Sequence, residues 1–224
     1  MQFNAAMFSG EVLWILNILA LVLAALAAFA SGLGRLAEDR TGLHLLAGST
    51  VGLALLWSLQ ANVGDGPGLH MLGVTTVTLL LGPARAGLAT LLAACVIALL
   101  SGELGGVGPS WLVGSVVPLL LTEAIRRLVW RRFPRDPFVF LFGCAFFGAA
   151  LALAASYLLA FTLIGGVGQP GGVWSEAVPS MPAFLMMVGF SEGFVNGTIV
   201  TMILVLRPTW LVGYSRDYEK PGPA

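Results

Sequence analysis

Long apolar runs with short polar interruptions dominate the chain. Four runs reach the roughly 20 residues that a membrane-spanning helix needs. They cover 12–33, 110–130, 138–165 and 180–206. A fifth run, 43–61, is nearly as long. This pattern predicts an all-α, polytopic membrane protein.

Apolar residues also fill 69–101, but Gly82, Pro83 and Arg85 interrupt them. The two pieces, of about 14 and 16 residues, would cover only about 21–24 Å, less than the ~30 Å hydrocarbon core of a bilayer. We therefore predict two short or partly re-entrant helices here. They would be the third and fourth of about seven transmembrane helices.

The basic residues indicate how the chain is oriented in the membrane. All 11 Lys and Arg residues lie in 34–42, 83–86 and 126–136 or after residue 206, and the connections on the opposite side carry none. Because cytoplasmic loops are enriched in Lys and Arg, we expect the N-terminus outside and the C-terminus inside. We expect one transmembrane domain over 1–213 and a short cytoplasmic tail over 214–224.

The composition excludes several classes of protein. Hydrophobic residues make up 58% of the 224 residues and charged residues 10%, and the formal net charge is zero. A water-soluble domain usually has about 25% charged residues, and a nucleic-acid-binding protein needs a basic surface, so neither class fits. The two cysteines, Cys95 and Cys144, lie in apolar runs and indicate neither a disulfide framework nor a zinc site.

The last apolar run carries small and polar residues at helical spacing. Its glycines recur at intervals of four, at Gly189, Gly193 and Gly197. Such a stripe packs helices closely, within one chain or against a partner. Near the middle of the same run lies Glu192, with Asn196 one turn further on. A carboxylate at that depth needs partners, and either a substrate path, a partner contact or a hydrogen-bonded structural role would supply them.

A serine-hydrolase pattern, G-x-S-x-G, occurs from Gly189 to Gly193. That motif belongs on a strand-to-helix turn, whereas here it lies within a membrane helix. Both histidines, His44 and His70, are expected at the membrane edges, far from Ser191 at the midplane. The sequence contains no P-loop and no H-E-x-x-H motif. We interpret the pattern as a chance match and expect no catalysis by the chain itself.

Polar groups gather on the expected outer face. They are the Met1 amine, Gln2, Asn4, Asp65, His70 and Glu103. An amine, an imidazole and oxygen donors suit a borderline divalent cation such as Ni²⁺, Co²⁺ or Cu²⁺. A lone histidine at a membrane edge is also typical of a hydrogen-bonded helix start, so both interpretations stay open at this point.

A family resemblance rests on short motifs in a fixed order. The stretch His70-Met71-Leu72-Gly73, followed by Gly82-Pro83, resembles the CbiM-like family of cobalt/nickel-type permeases of energy-coupling factor transporters. The segments 190–194 and 205–208 are similar to that family's last helix, and alignment through Asn17 places Met1 on its first residue. In detail the chain looks closest to a divergent proteobacterial branch.

The resemblance implies a function and a metal site. It implies the substrate-capturing membrane component of an energy-coupling factor ABC importer in the bacterial inner membrane. The partners would be ATPase subunits and a transmembrane coupling subunit, and the metal would be transported and not permanently bound. In the family a terminal amine, a histidine at position 2 and a later histidine hold the ion. Met1 and His70 match two of these, but Gln2 replaces the second.

The departure at Gln2 leaves a second hypothesis open. A glutamine amide is a poorer ligand than imidazole for a borderline cation. The chain could therefore be a structural or accessory membrane subunit that keeps the fold but has lost metal transport. Metal binding by the purified protein separates the two hypotheses.

Overall fold

The computed structural model describes residues 1–60, 69–167 and 181–214, and these residues form a bundle of helices. The α-helices are α1 (Gly10–Ser31), α2 (Leu33–Glu38), α3 (Arg40–Ser58), α4 (Val74–Leu81), α5 (Pro83–Ser101), α6 (Val107–Trp111), α7 (Val117–Arg132), α8 (Pro137–Phe140), α9 (Phe147–Val167) and α10 (Met181–Leu206). Two π-helical segments, π1 (Leu112–Val116) and π2 (Leu141–Phe146), join α6 to α7 and α8 to α9. The all-α prediction is confirmed.

Within the part of the chain that the structure describes, six helical segments are long and apolar enough to cross a membrane. They are Gly10–Ser31, Arg40–Ser58, Pro83–Ser101, Leu104–Arg132, Pro137–Gly166 and Ala183–Leu206. Large apolar side chains cover their outer surfaces, as on α1, where Trp14 is 72% exposed and Phe29 is 90% exposed. A water-soluble protein does not expose apolar area of this extent, whereas a bilayer covers it. The chain is a multi-pass membrane protein.

The segment 69–101 departs in one respect from the prediction of two short helices. Its first part gives only the eight-residue α4, preceded by non-helical backbone at 69–73, but α5 is a full helix of 19 residues. Pro83 begins α5 because proline needs no backbone donor in the first turn. Arg85 lies in that turn and pairs with Asp39 across 3.4 Å. Neither Pro83 nor Arg85 therefore shortens the helix.

Contacts place the N-terminus and residues 211–214 at opposite ends of the bundle. Gly114, early in the α6–π1–α7 segment, lies against Met1. Arg126, twelve residues later, donates a hydrogen bond to the Gly213 carbonyl across 3.4 Å. Twelve helical residues span about 18 Å. The assignment of these ends to outside and inside remains a prediction, and of the expected tail 214–224 only Tyr214 is among the described residues.

The glycine stripe of α10 packs within the chain. A Cβ at Gly193 would lie 2.7 Å from the Phe146 carbonyl oxygen, a distance that requires the backbone to shift. At Gly197 the nearest atoms also belong to Phe146, and at Gly189 they belong to Ala150. These glycines therefore allow α10 to lie directly on π2 and α9. Ser191, between them, donates its hydroxyl to the Met187 carbonyl of the same helix.

Candidate metal site

The N-terminal segment is folded into the bundle. Met1 is 3% exposed and Phe3 is fully buried. The Phe3 N–H donates to Ser110 Oγ across 2.8 Å. On the other side of Phe3, a Cβ at Gly106 would lie 1.9 Å from the Phe3 carbonyl oxygen, so only glycine fits there. The first residues therefore have a fixed position between the ends of α5 and α6.

Side chains on both sides of Phe3 attach the segment to the end of α5. The Gln2 amide donates to Ser101 Oγ across 2.7 Å. The Asn4 amide donates to a Glu103 carboxylate oxygen across 2.8 Å. The structure thus brings together most of the outer-face residues that the sequence singles out. Asp65 lies outside the described residues.

The Met1 amine and the His70 ring are in direct contact. The amine contacts His70 Nε2. The other ring nitrogen, Nδ1, lies 2.8 Å from the Met71 carbonyl oxygen, and because a carbonyl only accepts, Nδ1 carries the proton. The lone pair of Nε2 is therefore directed at the amine. Metal-binding histidines commonly have this arrangement, in which one ring nitrogen donates to a carbonyl and the other is left to bind the metal.

Burial keeps the Met1 amine in its uncharged form. Desolvation lowers the pKa of the Met1 amine to about 4, with the negative charge of Glu192 opposing part of the shift. Near neutral pH the amine is therefore uncharged and carries a free lone pair. Since a metal ion binds only unprotonated nitrogen, the amine needs to release no proton on binding.

A small cavity lies beside these two nitrogens. Its volume is about 20 Å³, enough for one water molecule or one metal ion. The polar residues around it are Met1, Gln2, His70, Glu103, Ser110 and Ser115. The described residues contain no group of three or more His, Cys, Asp or Glu side chains that could hold a metal ion. An ion in this cavity would therefore depend on the terminal amine, amide or hydroxyl groups beside His70.

Trp57 and Tyr157 fix the position of the histidine. The Trp57 ring packs against the imidazole with centroids 5.3 Å apart, and its Nε1 donates to the Leu72 carbonyl across 2.9 Å. The Tyr157 hydroxyl donates to the His70 carbonyl across 3.2 Å. Sequence reasoning missed both residues, because neither stands at an informative spacing from His70.

The polar residues of α10 hold the backbone directly after the histidine. The Glu192 carboxylate accepts hydrogen bonds from the N–H groups of Leu72 and Gly73, across 2.8 and 2.7 Å. Asn196 accepts from both the N–H and the hydroxyl of Thr76, and its amide nitrogen donates to Glu192. Glu192 and Asn196 thus join α10 to the His70 segment and the start of α4.

Comparison with known proteins identifies the family. The family model described as "CbiM: Cobalt uptake substrate-specific transmembrane region" matches residues 3–210. The chain belongs to the CbiM family. It is therefore a membrane component of metal uptake. Among curated proteins, none matches the chain with significance.

Two crystal structures share the CbiM fold of this chain. One is described as a transition metal transporter, with a TM-score of 0.76 and 18% identity over 92% of this chain and 93% of that chain. The other is described as a truncated transition metal transporter, with a TM-score of 0.75 and 18% identity over 92% of this chain and 99% of that chain. These TM-scores show that the fold is shared. At an identity this low, the substrate of those transporters is not carried over to this chain.

Proposed function

We propose that this CbiM-family protein is the substrate-capturing component of an energy-coupling factor importer for a transition-metal cation, Ni²⁺ or Co²⁺. The cation would bind in the small cavity, with the Met1 amine and His70 Nε2 as nitrogen ligands and Gln2 as a weaker third contact. The observation that carries the proposal is the contact between the Met1 amine nitrogen and His70 Nε2, from residues 69 positions apart, beside an ion-sized cavity.

The proposal includes the setting in which the protein works. The chain lacks a P-loop, so ATP hydrolysis would be the task of separate ATPase subunits, linked through a transmembrane coupling subunit. The assembly would lie in a bacterial inner membrane and capture the ion on the outer face. The chain would do no chemistry on its cargo and would hold no permanent cofactor.

Gln2 favours a second candidate function. Where an imidazole would be a strong nitrogen ligand, this chain offers an amide, and the nitrogen of that amide donates a hydrogen bond to Ser101 Oγ. A subunit that has kept the fold and lost metal transport would show this replacement. The two candidates differ in one measurable property, the affinity of the purified protein for a metal ion.

The test is calorimetric titration of the purified full chain in detergent with Ni²⁺, Co²⁺, Cu²⁺ and Zn²⁺. We expect Ni²⁺ or Co²⁺ to bind, and His70→Ala to abolish the binding. Extending the N-terminus by one residue should weaken it, because the amine is displaced from its seat. Gln2→His should strengthen it by adding an imidazole.

The matched control is His44→Ala, which removes the other histidine of the chain, an exposed residue near the start of α3. This variant should bind metal like the unmodified protein. Equal affinity of His70→Ala and the unmodified protein would refute the proposed site. If only Gln2→His binds metal, the transport function is refuted for the natural chain, and the accessory-subunit function takes its place.

A further inference from the structure

Ser115 lies in π1 and lines the cavity of Met1 and His70. Its side chain is fully buried. Among the described residues, its Oγ has no hydrogen-bond partner. A buried hydroxyl without a partner has a cost in free energy, so a native structure that keeps one calls for an explanation. A ligand that enters the cavity would supply the missing partner.

Ser115 differs in this respect from the other buried serine and threonine hydroxyls that the structure describes. They belong to Ser31, Thr75, Thr76, Thr78, Thr90, Thr122 and Ser156. Each of them has a hydrogen bond, and most donate to a carbonyl three or four residues earlier in the helix. Among the described residues, one other buried side-chain polar atom has no partner, Trp130 Nε1, and it lies near Tyr214 and away from the cavity.

Ser115 lies where the helix departs from regular α geometry. Pro118 has no N–H, so the Gly114 carbonyl lacks the usual donor four residues later. The chain forms a wider turn there, in which the Val117 N–H bonds to the Leu112 carbonyl. Such π-helical turns are frequent at functional sites.

Gly114 brings this turn onto the N-terminus. A Cβ at Gly114 would lie 3.3 Å from both the nitrogen and the carbonyl oxygen of Met1. The glycine therefore lets π1 approach the amine closely, and the next residue is Ser115. The wide turn, the close approach and the unpartnered hydroxyl all meet at the same cavity.

We propose that Ser115 Oγ is a further donor to the bound cation, in addition to the Met1 amine, His70 Nε2 and the weaker contact of Gln2. This inference rests on the proposed function and adds a residue that the sequence motifs do not indicate. The hydroxyl lone pair binds the ion, and its proton stays on the oxygen. A neutral oxygen donor is harder than nitrogen, so Ser115 favours Co²⁺ and Ni²⁺ over a soft ion such as Cu⁺.

The first test compares affinities by calorimetry. Ser115→Ala should weaken Co²⁺ and Ni²⁺ binding about tenfold or more. The matched control is Ser31→Ala, which removes another buried hydroxyl, one that donates to Ala28 at the far end of α1. This control should keep the affinity of the unmodified protein. An unchanged affinity for Ser115→Ala would overturn the inference.

The second test reads direct ligation. In Ser115→Cys, Co²⁺ should deprotonate the thiol and give a thiolate-to-cobalt charge-transfer band in the near ultraviolet. Ser31→Cys serves as control, and the unmodified protein gives the background from Cys95 and Cys144. A folded Ser115→Cys variant that binds Co²⁺ without this band would refute ligation, even if Ser115→Ala fails to fold.

The outcomes keep this inference separate from the proposed function. If His70→Ala retains full metal binding, the proposed site is wrong and Ser115 loses its role with it. If His70→Ala loses binding while Ser115→Ala keeps its affinity and Ser115→Cys binds Co²⁺ without the charge-transfer band, the site stands and only the role of Ser115 is wrong. If only Gln2→His binds metal, the same Ser115 substitutions in that background decide the question.

Discussion

Glu192 provides the sharpest test of how the α10 helix supports the His70 segment. Its two carboxylate oxygens accept from the N–H groups of Leu72 and Gly73, in a part of the bundle where Glu192 is 1% exposed. Glu192→Leu removes both acceptors and offers nothing in return. We expect the variant to be strongly destabilised, because lipid and apolar side chains supply no replacement acceptor.

The magnitude follows from the number of stranded groups. Leaving a buried N–H without a partner costs about 1–3 kcal/mol, so two of them cost about 2–6 kcal/mol. The Asn196 amide nitrogen is not counted, because it still donates to the main-chain carbonyl of residue 192 across 2.8 Å. Whole domains are stable by about 5–15 kcal/mol, so the loss in Glu192→Leu should lower the folded yield.

Glu192→Gln should be milder. Its one amide oxygen can still accept from Leu72 or Gly73, which leaves one N–H stranded and a loss of about 1–3 kcal/mol. Metal affinity should fall in the same order, since the backbone that Glu192 holds begins two residues after His70. The order expected for stability and for affinity is unmodified protein, then Gln, then Leu.

The assay is the melting temperature in detergent, read from the fraction that still elutes as folded protein after heating. Glu11→Leu is the matched control, since it makes the same chemical change at an exposed position in the first turn of α1. That control should melt like the unmodified protein. A Glu192→Leu variant with an unchanged melting temperature, or one no worse than Glu192→Gln, would refute the reasoning.

Two further predictions concern the orientation and the seat of the N-terminus. In intact cells, Asp65→Cys should react with an impermeant thiol reagent added outside and Arg131→Cys should not, because loops rich in Lys and Arg stay in the cytoplasm. Labelling of Arg131→Cys would show that the predicted orientation is wrong. Gly106→Ala should weaken metal binding about tenfold or more, because the new Cβ would lie 1.9 Å from the Phe3 carbonyl oxygen and displace the N-terminal segment. Gly48→Ala is the control and should bind metal normally, since a Cβ there has nothing within 4 Å. Equal affinities of the two variants in calorimetry would contradict this position of the N-terminal segment.

Much of the fold could be predicted from hydrophobicity alone. The five long runs correspond to α1, α3, the α6–π1–α7 and α8–π2–α9 segments and α10, because a membrane span needs a minimum apolar length that is visible in one dimension. The length of α5 could not be predicted in this way. Counting Pro83 and Arg85 as interruptions hid the fact that a proline begins helices well and that Asp39 pairs with the arginine.

For the candidate site, too, part could be predicted from the sequence and part only from the structure. Residue chemistry and the family motif already pointed to Met1 and His70, because an amine and an imidazole are recognisable metal ligands wherever they stand. Only the tertiary structure brought them into contact across 69 positions, seated Phe3 against Gly106 and directed Glu192 at the backbone of Leu72. Ser115 belongs to no sequence motif, and its hydroxyl matters only because π1 places this unpartnered residue at the cavity that Met1 and His70 line. The sequence by itself determined which segments lie in the membrane, since transfer from water to lipid depends on composition. The packing of the N-terminal segment against residues 69–73 and π1 decided the site, since hydrogen bonds and ligation act only over a few ångströms.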